Sequence, residues 1–186
     1  MQNFFDFMIG IDRQVFYFCN NTLRNPFFDL VMPIITSEWW VLPLVLVAAA
    51  LLIYGNRRVK IIVVLIIIAI AFADTICYRI LKPFFARIRP FYTLGHVNLL
   101  TGAGYLSFPS NHAANTFALS SVVFLFNKKG GGWLLCISAV ISFSRIYCGV
   151  HYPLDVLAGA FIGSAIGVMT VFFYRQFKWK KETKPR

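Results

Sequence analysis

Three short polar segments interrupt an otherwise apolar chain: Lys82-Pro-Phe-Phe-Ala-Arg-Ile-Arg89-Pro90, Pro109-Ser-Asn-His112 and Ser144-Arg145-x5-His151-x3-Asp155. Together they gather cations, two histidines and one carboxylate at the ends of hydrophobic runs. Such a set suits binding an anion and passing it to a ring nitrogen, which is phosphoryl-transfer chemistry. His151 and Asp155 stand four residues apart, and Pro153 between them suits the first turn of a helix. If the helix already runs through His151, the two side chains share a face. Asp155 then holds one ring nitrogen and leaves the other free as nucleophile. In the second segment Pro109 also fits a first helical turn. Ser110, Asn111 and His112 would present N–H groups and the positive end of the helix dipole to an anion. His112 has the pKa range of a general acid.

Lys82, Arg87, Arg89 and Arg145 supply the positive charge, with arginine able to grip phosphate oxygens bidentately. Lys82 and Arg89 flank a proline-broken stretch, so the chain can fold back and aim both at one point. Arg87 fits contact with anionic lipid headgroups better. His112, His151 and Asp155 would also make a metal ligand set, but the cations around them would repel a divalent ion. No metal and no cofactor is expected.

The elements that must position these residues are membrane helices. The 186 residues are 59% hydrophobic and 13% charged, far more apolar than a soluble domain. One all-α integral membrane bundle over residues 1–186 is expected, with spans near 36–54, 60–81, 109–127, 132–149 and 153–174. Residues 1–35 read as an N-terminal interfacial region: Phe4, Met8, Ile11, Val15 and Phe18 form one stripe of an amphipathic helix, with Asn3, Asp6, Gly10, Arg13, Tyr17 and Asn20 between them. A sixth span over this segment is the alternative. Gly159, Gly163 and Gly167 form a small-residue stripe for close helix packing or a weak homodimer. The four cysteines show no disulfide or metal spacing.

The net charge of +11 resides in loops and tail, which excludes a nucleic-acid surface as its best explanation. Arg57, Arg58, Lys60, Lys128, Lys129 and the basic tail 175–186 all fall on one side of the five spans. The positive-inside rule makes that side cytoplasmic and puts all three polar segments on the outer face of the cytoplasmic membrane. Asp74, inside the second span, is a candidate partner for one of the cations or for Arg79. The loop 91–108, rich in glycine, is a candidate lid, and His96 within it reads as surface.

The three segments resemble the three-part signature of the type 2 phosphatidic acid phosphatase (PAP2) family of membrane lipid phosphatases, written KxxxxxxRP, PSGH and SRxxxxxHxxxD. The likeness covers roughly 75 residues, from Lys82 to Asp155. It implies that His151 attacks phosphorus, that Asp155 orients it, and that His112 protonates the leaving lipid oxygen. Lys82, Arg89, Ser110, Asn111 and Arg145 would hold the phosphate, and Asn111 stands where the family has glycine. The resemblance extends to small bacterial enzymes acting on undecaprenyl pyrophosphate, phosphatidylglycerol phosphate or the 1-phosphate of lipid A. A lipid phosphotransferase and a non-catalytic anionic-lipid transporter are the alternative readings.

Overall fold

The computed structural model describes residues 2–182, with side chains for residues 6–178. The elements in order are α1 (Gln2–Tyr17), α2 (Pro26–Ile35), α3 (Val41–Tyr54), α4 (Arg57–Thr75), α5 (Lys82–Phe85), α6 (Pro90–Thr93), α7 (Asn111–Phe126), α8 (Lys128–Tyr147) and α9 (Pro153–Glu182). A π-helical stretch, Ile76–Leu81, joins α4 to α5 without a break. Residues 183–186 of the basic tail lie outside the described residues.

Asparagine caps define three of the helix starts. Asn25 accepts from Phe28 N at 2.9 Å, Asn56 from Val59 N at 3.0 Å and Asn127 from Gly130 N at 3.1 Å. Each supplies an acceptor that a first helical turn lacks. Pro26 and Pro153 occupy first positions, where the missing N–H costs nothing.

Four stretches are long and apolar enough to cross a membrane: Pro26–Tyr54, Arg57–Phe85, Lys128–Tyr147 and Pro153–Lys178. The first begins at Pro26 rather than at residue 36, so the segment assigned to the interfacial region is divided. The Asn25 cap and Pro26 start a helix that passes through the 3-10 turn Glu38–Trp40 into α3. α7, the expected third span, has 16 residues, or about 24 Å. It packs inside the others, and all but Val122 of its buried residues are small: Ala113, Ala114, Ala118, Ser120 and Ser121.

The glycine stripe is what lets α7 sit there. A Cβ on Gly159, Gly163 or Gly167 would lie 2.4, 2.0 or 2.6 Å from the carbonyl oxygens of Ser110, Ala114 and Ala118. α9 therefore lies directly on the α7 backbone, and the stripe is used within the chain. Leu65, Ala69, Ala73 and Cys77 of the α4 side close the same core with Val122 and Val171.

α1 docks on the protein through a face other than its apolar stripe. Ile11, Val15 and Phe18 are exposed, whereas Asp12, Phe16, Cys19 and Asn20 are buried. An exposed apolar stripe on a docked helix suits a lipid surface. Phe16 and Cys19 join Ala113, Ile146, Tyr152 and Val156 in a second core directly under the polar segments.

Because the α7–α9 contact has no room for a methyl group, Gly163→Ala should destabilise the protein by about 1–3 kcal/mol, the scale of overpacking. Gly132, with nothing within 4 Å of its would-be Cβ, is the control. Thermal melting in detergent should show a drop for Gly163→Ala and none for Gly132→Ala; equal melting temperatures for both would refute the close-packing account.

Candidate active site

The three polar segments meet at one end of the bundle. α5 ends at Ala86, whose left-handed φ of 46° reverses the chain. Residues 87–89 then run extended, bridged antiparallel through Ile88 to Leu106. Arg89 N donates to Tyr105 O at 3.2 Å, and Ser107 N to Arg87 O at 2.8 Å. In an extended segment residues two apart share a face, so Arg87 and Arg89 both turn inward.

Lys82 is buried and donates to Pro109 O at 2.8 Å and Ser107 O at 3.3 Å. Arg89 Nη1 donates to Val150 O at 2.8 Å and lies 3.0 Å from His151 Nε2. Arg145, 5% exposed, donates through Nη1 to Thr36 Oγ1 at 2.7 Å. His112, on the first turn of α7, lies within electrostatic reach of Arg145, Arg89 and Lys82. Ser110 is fully buried, and its N–H donates to Asp155 O at 2.9 Å.

A guanidinium can only donate. His151 Nε2 is therefore the acceptor toward Arg89, which puts the ring proton on Nδ1. Nδ1 faces Asp155 Oδ2 at 3.5 Å. Helix α9 does not run through His151, as the spacing had suggested; it begins at Pro153. The pair is brought together by capping instead, since Asp155 Oδ2 reaches back to accept from Tyr152 N at 2.8 Å. Gly149, at a φ of 81°, makes the turn that carries the chain from Arg145 to His151, and its would-be Cβ would lie 2.8 Å from Asn98 O. Only glycine takes that conformation without strain.

Arg87 corrects the sequence reading. Its guanidinium is engaged within the protein rather than left for headgroups: Nη1 donates to Asp155 Oδ1 at 2.7 Å and Nη2 to Asp12 Oδ2. Its guanidinium carbon also stands 4.0 Å over the Tyr152 ring. Asn111 does not turn its amide toward the cations either; Nδ2 donates to Asp74 Oδ1 at 2.8 Å, joined by Asn115 at 3.3 Å. Asp74 accordingly makes no ion pair among the described residues, with Arg79 or with the site.

Asp12 and Thr36 were not singled out by sequence. Nothing in an amphipathic helix or a helix junction marks either one. Arg87 carried a usable signal, its two-residue spacing from Arg89 in a segment that proline keeps from being helical. The candidate lid, 91–108, is strapped down: Asn20 bonds twice to Asn98 (2.8 and 2.9 Å), Tyr17 to Gly95 O, Thr93 to Tyr152, and Leu100 N to Cys148 O. His96 is exposed, as expected of a surface residue.

Several buried polar atoms at this end make no hydrogen bond within the protein: Arg89 Nε, Arg145 Nε, Ser107 Oγ, Ser110 Oγ and His151 Nδ1. Buried groups of this kind ordinarily have a partner. Four cations (Lys82, Arg87, Arg89, Arg145) face two carboxylates (Asp12, Asp155), leaving two positive charges in excess. The arrangement can bind a compact dianion against a neutral imidazole. Burial, with the charge of Arg145 next, lowers Arg89 to about 10, which leaves it a cation at neutral pH.

The chain matches the PAP2 superfamily over residues 60–181, which includes all three polar segments. It is 34% identical to lipid A 4'-phosphatase of Bacteroides thetaiotaomicron, over 90% of this chain and 78% of that protein. It is 32% identical to undecaprenyl-diphosphatase BcrC of Bacillus subtilis, over 78% of this chain and 75% of that one. The crystal structure of Aquifex aeolicus LpxE superposes with a TM-score of 0.69 at 30% identity, covering 85% of this chain and 93% of LpxE. The chain belongs to the PAP2 superfamily of membrane lipid phosphatases.

Burial first, and then the charges of Arg89, Arg145 and Lys82, push the His151 imidazole well below its ordinary 6.5. Below that pH the unfolded chain binds a proton that the folded protein excludes, so stability falls as pH drops through this range. His151→Gln cannot titrate. Its melting temperature should fall less than that of the wild type between about pH 7 and about pH 5. Equal losses in the two proteins would mean that the ring is not held neutral.

Proposed function

We propose that this protein hydrolyses a phosphate monoester or diphosphate of a membrane lipid through a phosphohistidine on His151. The observation that carries the reading is that three buried cations, Lys82, Arg89 and Arg145, surround the His151 ring while both carboxylates of the site are paired with Arg87. A phosphate monoester dianion supplies the matching charge, and its oxygens are natural partners for the unpaired donors of Arg89, Arg145 and Ser110.

Arg89 moves its Nη1 hydrogen bond from His151 Nε2 to a phosphate oxygen, which frees the Nε2 lone pair. Nε2 attacks phosphorus while the P–O bond to the lipid breaks, and the leaving oxygen takes a proton from His112. The entering dianion provides the negative charge beside which a protonated His112 is stable. Asp155 stabilises the positive ring through Nδ1–H without taking its proton. Water then attacks phosphorus, gives a proton to His112, and the P–N bond breaks. Inorganic phosphate leaves and His151 is restored.

A lipid substrate follows from a site at the end of a bundle whose flanks are apolar and exposed, and from the relatives' names. Those names give two substrate types, the 4'-phosphate of lipid A and undecaprenyl diphosphate. The 4'-phosphate was not among the candidates drawn from sequence, and phosphatidylglycerol phosphate remains a third. The basic residues gather at the far end of the bundle: Arg58 donates to Phe126 O and Arg175 to Leu125 O, both at 2.9 Å. By the positive-inside rule that end and the C-terminus are cytoplasmic, and the site opens on the outer face.

Phosphate release by detergent-purified protein in EDTA tests the proposal, with lipid A, undecaprenyl diphosphate and phosphatidylglycerol phosphate as substrates. His151→Ala should abolish release. Arg145→Ala should lower it about 10²–10³-fold, the effect of losing one preorganised charge stabiliser. No release from any of the lipids, or a His151→Ala protein as active as the wild type, would overturn the reading.

A further inference from the structure

We infer that Asp12 is a positioning residue for the nucleophile, which makes the N-terminal helix α1 a working part of the active site. The inference rests on the phosphohistidine reading above. Asp12 lies outside the segment that matches the PAP2 superfamily, residues 60–181.

Asp12 is 2% exposed, an unusual place for a carboxylate on a surface helix. Both of its oxygens are engaged by distant parts of the chain. Oδ2 accepts from Arg87 Nη2, and Oδ1 accepts from Leu154 N at 2.8 Å in the first turn of α9. Arg87 in turn donates Nη1 to Asp155 Oδ1 at 2.7 Å. Asp155 Oδ2 faces His151 Nδ1. A chain of polar contacts thus runs from α1 through Arg87 to Asp155 by hydrogen bonds, and from Asp155 Oδ2 to the ring that attacks phosphorus across 3.5 Å.

The consequence is electrostatic. A guanidinium paired with Asp155 alone would draw that carboxylate toward itself and neutralise it. Asp12 takes half of the guanidinium's hydrogen bonding and balances its charge. Asp155 then keeps a free share of negative charge for Nδ1–H, which it needs when the ring becomes positive on phosphorylation. Apolar contacts hold α1 in register for this: the Phe16 and Tyr152 rings lie 5.6 Å apart, and the Arg87 guanidinium stacks over the same Tyr152.

Asp12→Asn is the informative variant, because the amide oxygen can still accept from Leu154 N while the charge is lost. Its kcat, Asp12→Glu, Arg87→Gln and the double Asp12→Asn/Arg87→Gln variant are measured beside His151→Ala on the lipid panel above. Asp12→Asn should lower kcat by about tenfold to a hundredfold, the scale for losing an outer partner of a functional group, with KM little changed. Asp12→Glu should recover part of the loss. The double variant should be no worse than the poorer single, since both break one chain. In the same samples the 15N resonance of His151 Nδ1 should move in Asp12→Asn and return toward wild type in Asp12→Glu.

Wild-type kcat in Asp12→Asn overturns the inference. So does a loss that follows the melting temperature and is not recovered by glutamate. An unmoved Nδ1 resonance overturns it whatever the enzyme's substrate proves to be. A His151→Ala protein with wild-type turnover would instead bring down the phosphohistidine reading, and the resonance would still decide whether α1 reaches the ring.

Discussion

Holding four cations together in a largely apolar bundle is the constraint around which this protein is arranged. Unpaired, they would be costly at membrane depth, so each is tied to something fixed. Lys82 is held by the Pro109 and Ser107 carbonyls, Arg89 by the Val150 carbonyl, Arg145 by Thr36 and Arg87 by two carboxylates. These anchors come from four separate stretches of the chain, at residues 12, 36, 107–109 and 150–155. Satisfying them fixes where α2, the loop before α7 and the start of α9 must lie. The charge they leave over is what a phosphate group matches.

Backbone closeness supplies the geometry that side-chain charge alone does not. α9 lies against α7 with only hydrogen on its glycines to separate them. That contact brings Ser110 N within 2.9 Å of Asp155 O, so the second and third polar segments are joined through main chain rather than through mobile side chains. Rigidity of this kind suits catalysis by preorganised charge, where the donors must already stand in place as the reaction begins.

Much of this was legible in the sequence because the signals were local. Apolar runs of membrane length revealed α3, α4, α8 and α9. The three motifs placed Lys82, Arg89, Ser110, His112, Arg145, His151 and Asp155 at one end, where the structure gathers them. What was not legible depended on partners far away. Asp12 meets Arg87 and Leu154 across 75 and 142 residues, and the spacing of α1 gives no hint of either. Asn111 was read as a phosphate contact from its place in the second motif; only the packing of α4 against α7 reveals Asp74 as the partner of its side chain. His151 and Asp155 looked like neighbours on a helix face, yet a cap brings them together.

The order in which the chain is made gives those long separations another meaning. Asp12 emerges from the ribosome before Arg87, and Arg87 well before Leu154. Until the final helix has entered the bilayer, α1 has no backbone amide to receive its carboxylate, and the cations of the middle segment have no Asp155. A chain not yet made as far as α9 therefore holds the cations of the site without the carboxylate that faces His151. The full set of contacts around His151 arrives only with α9.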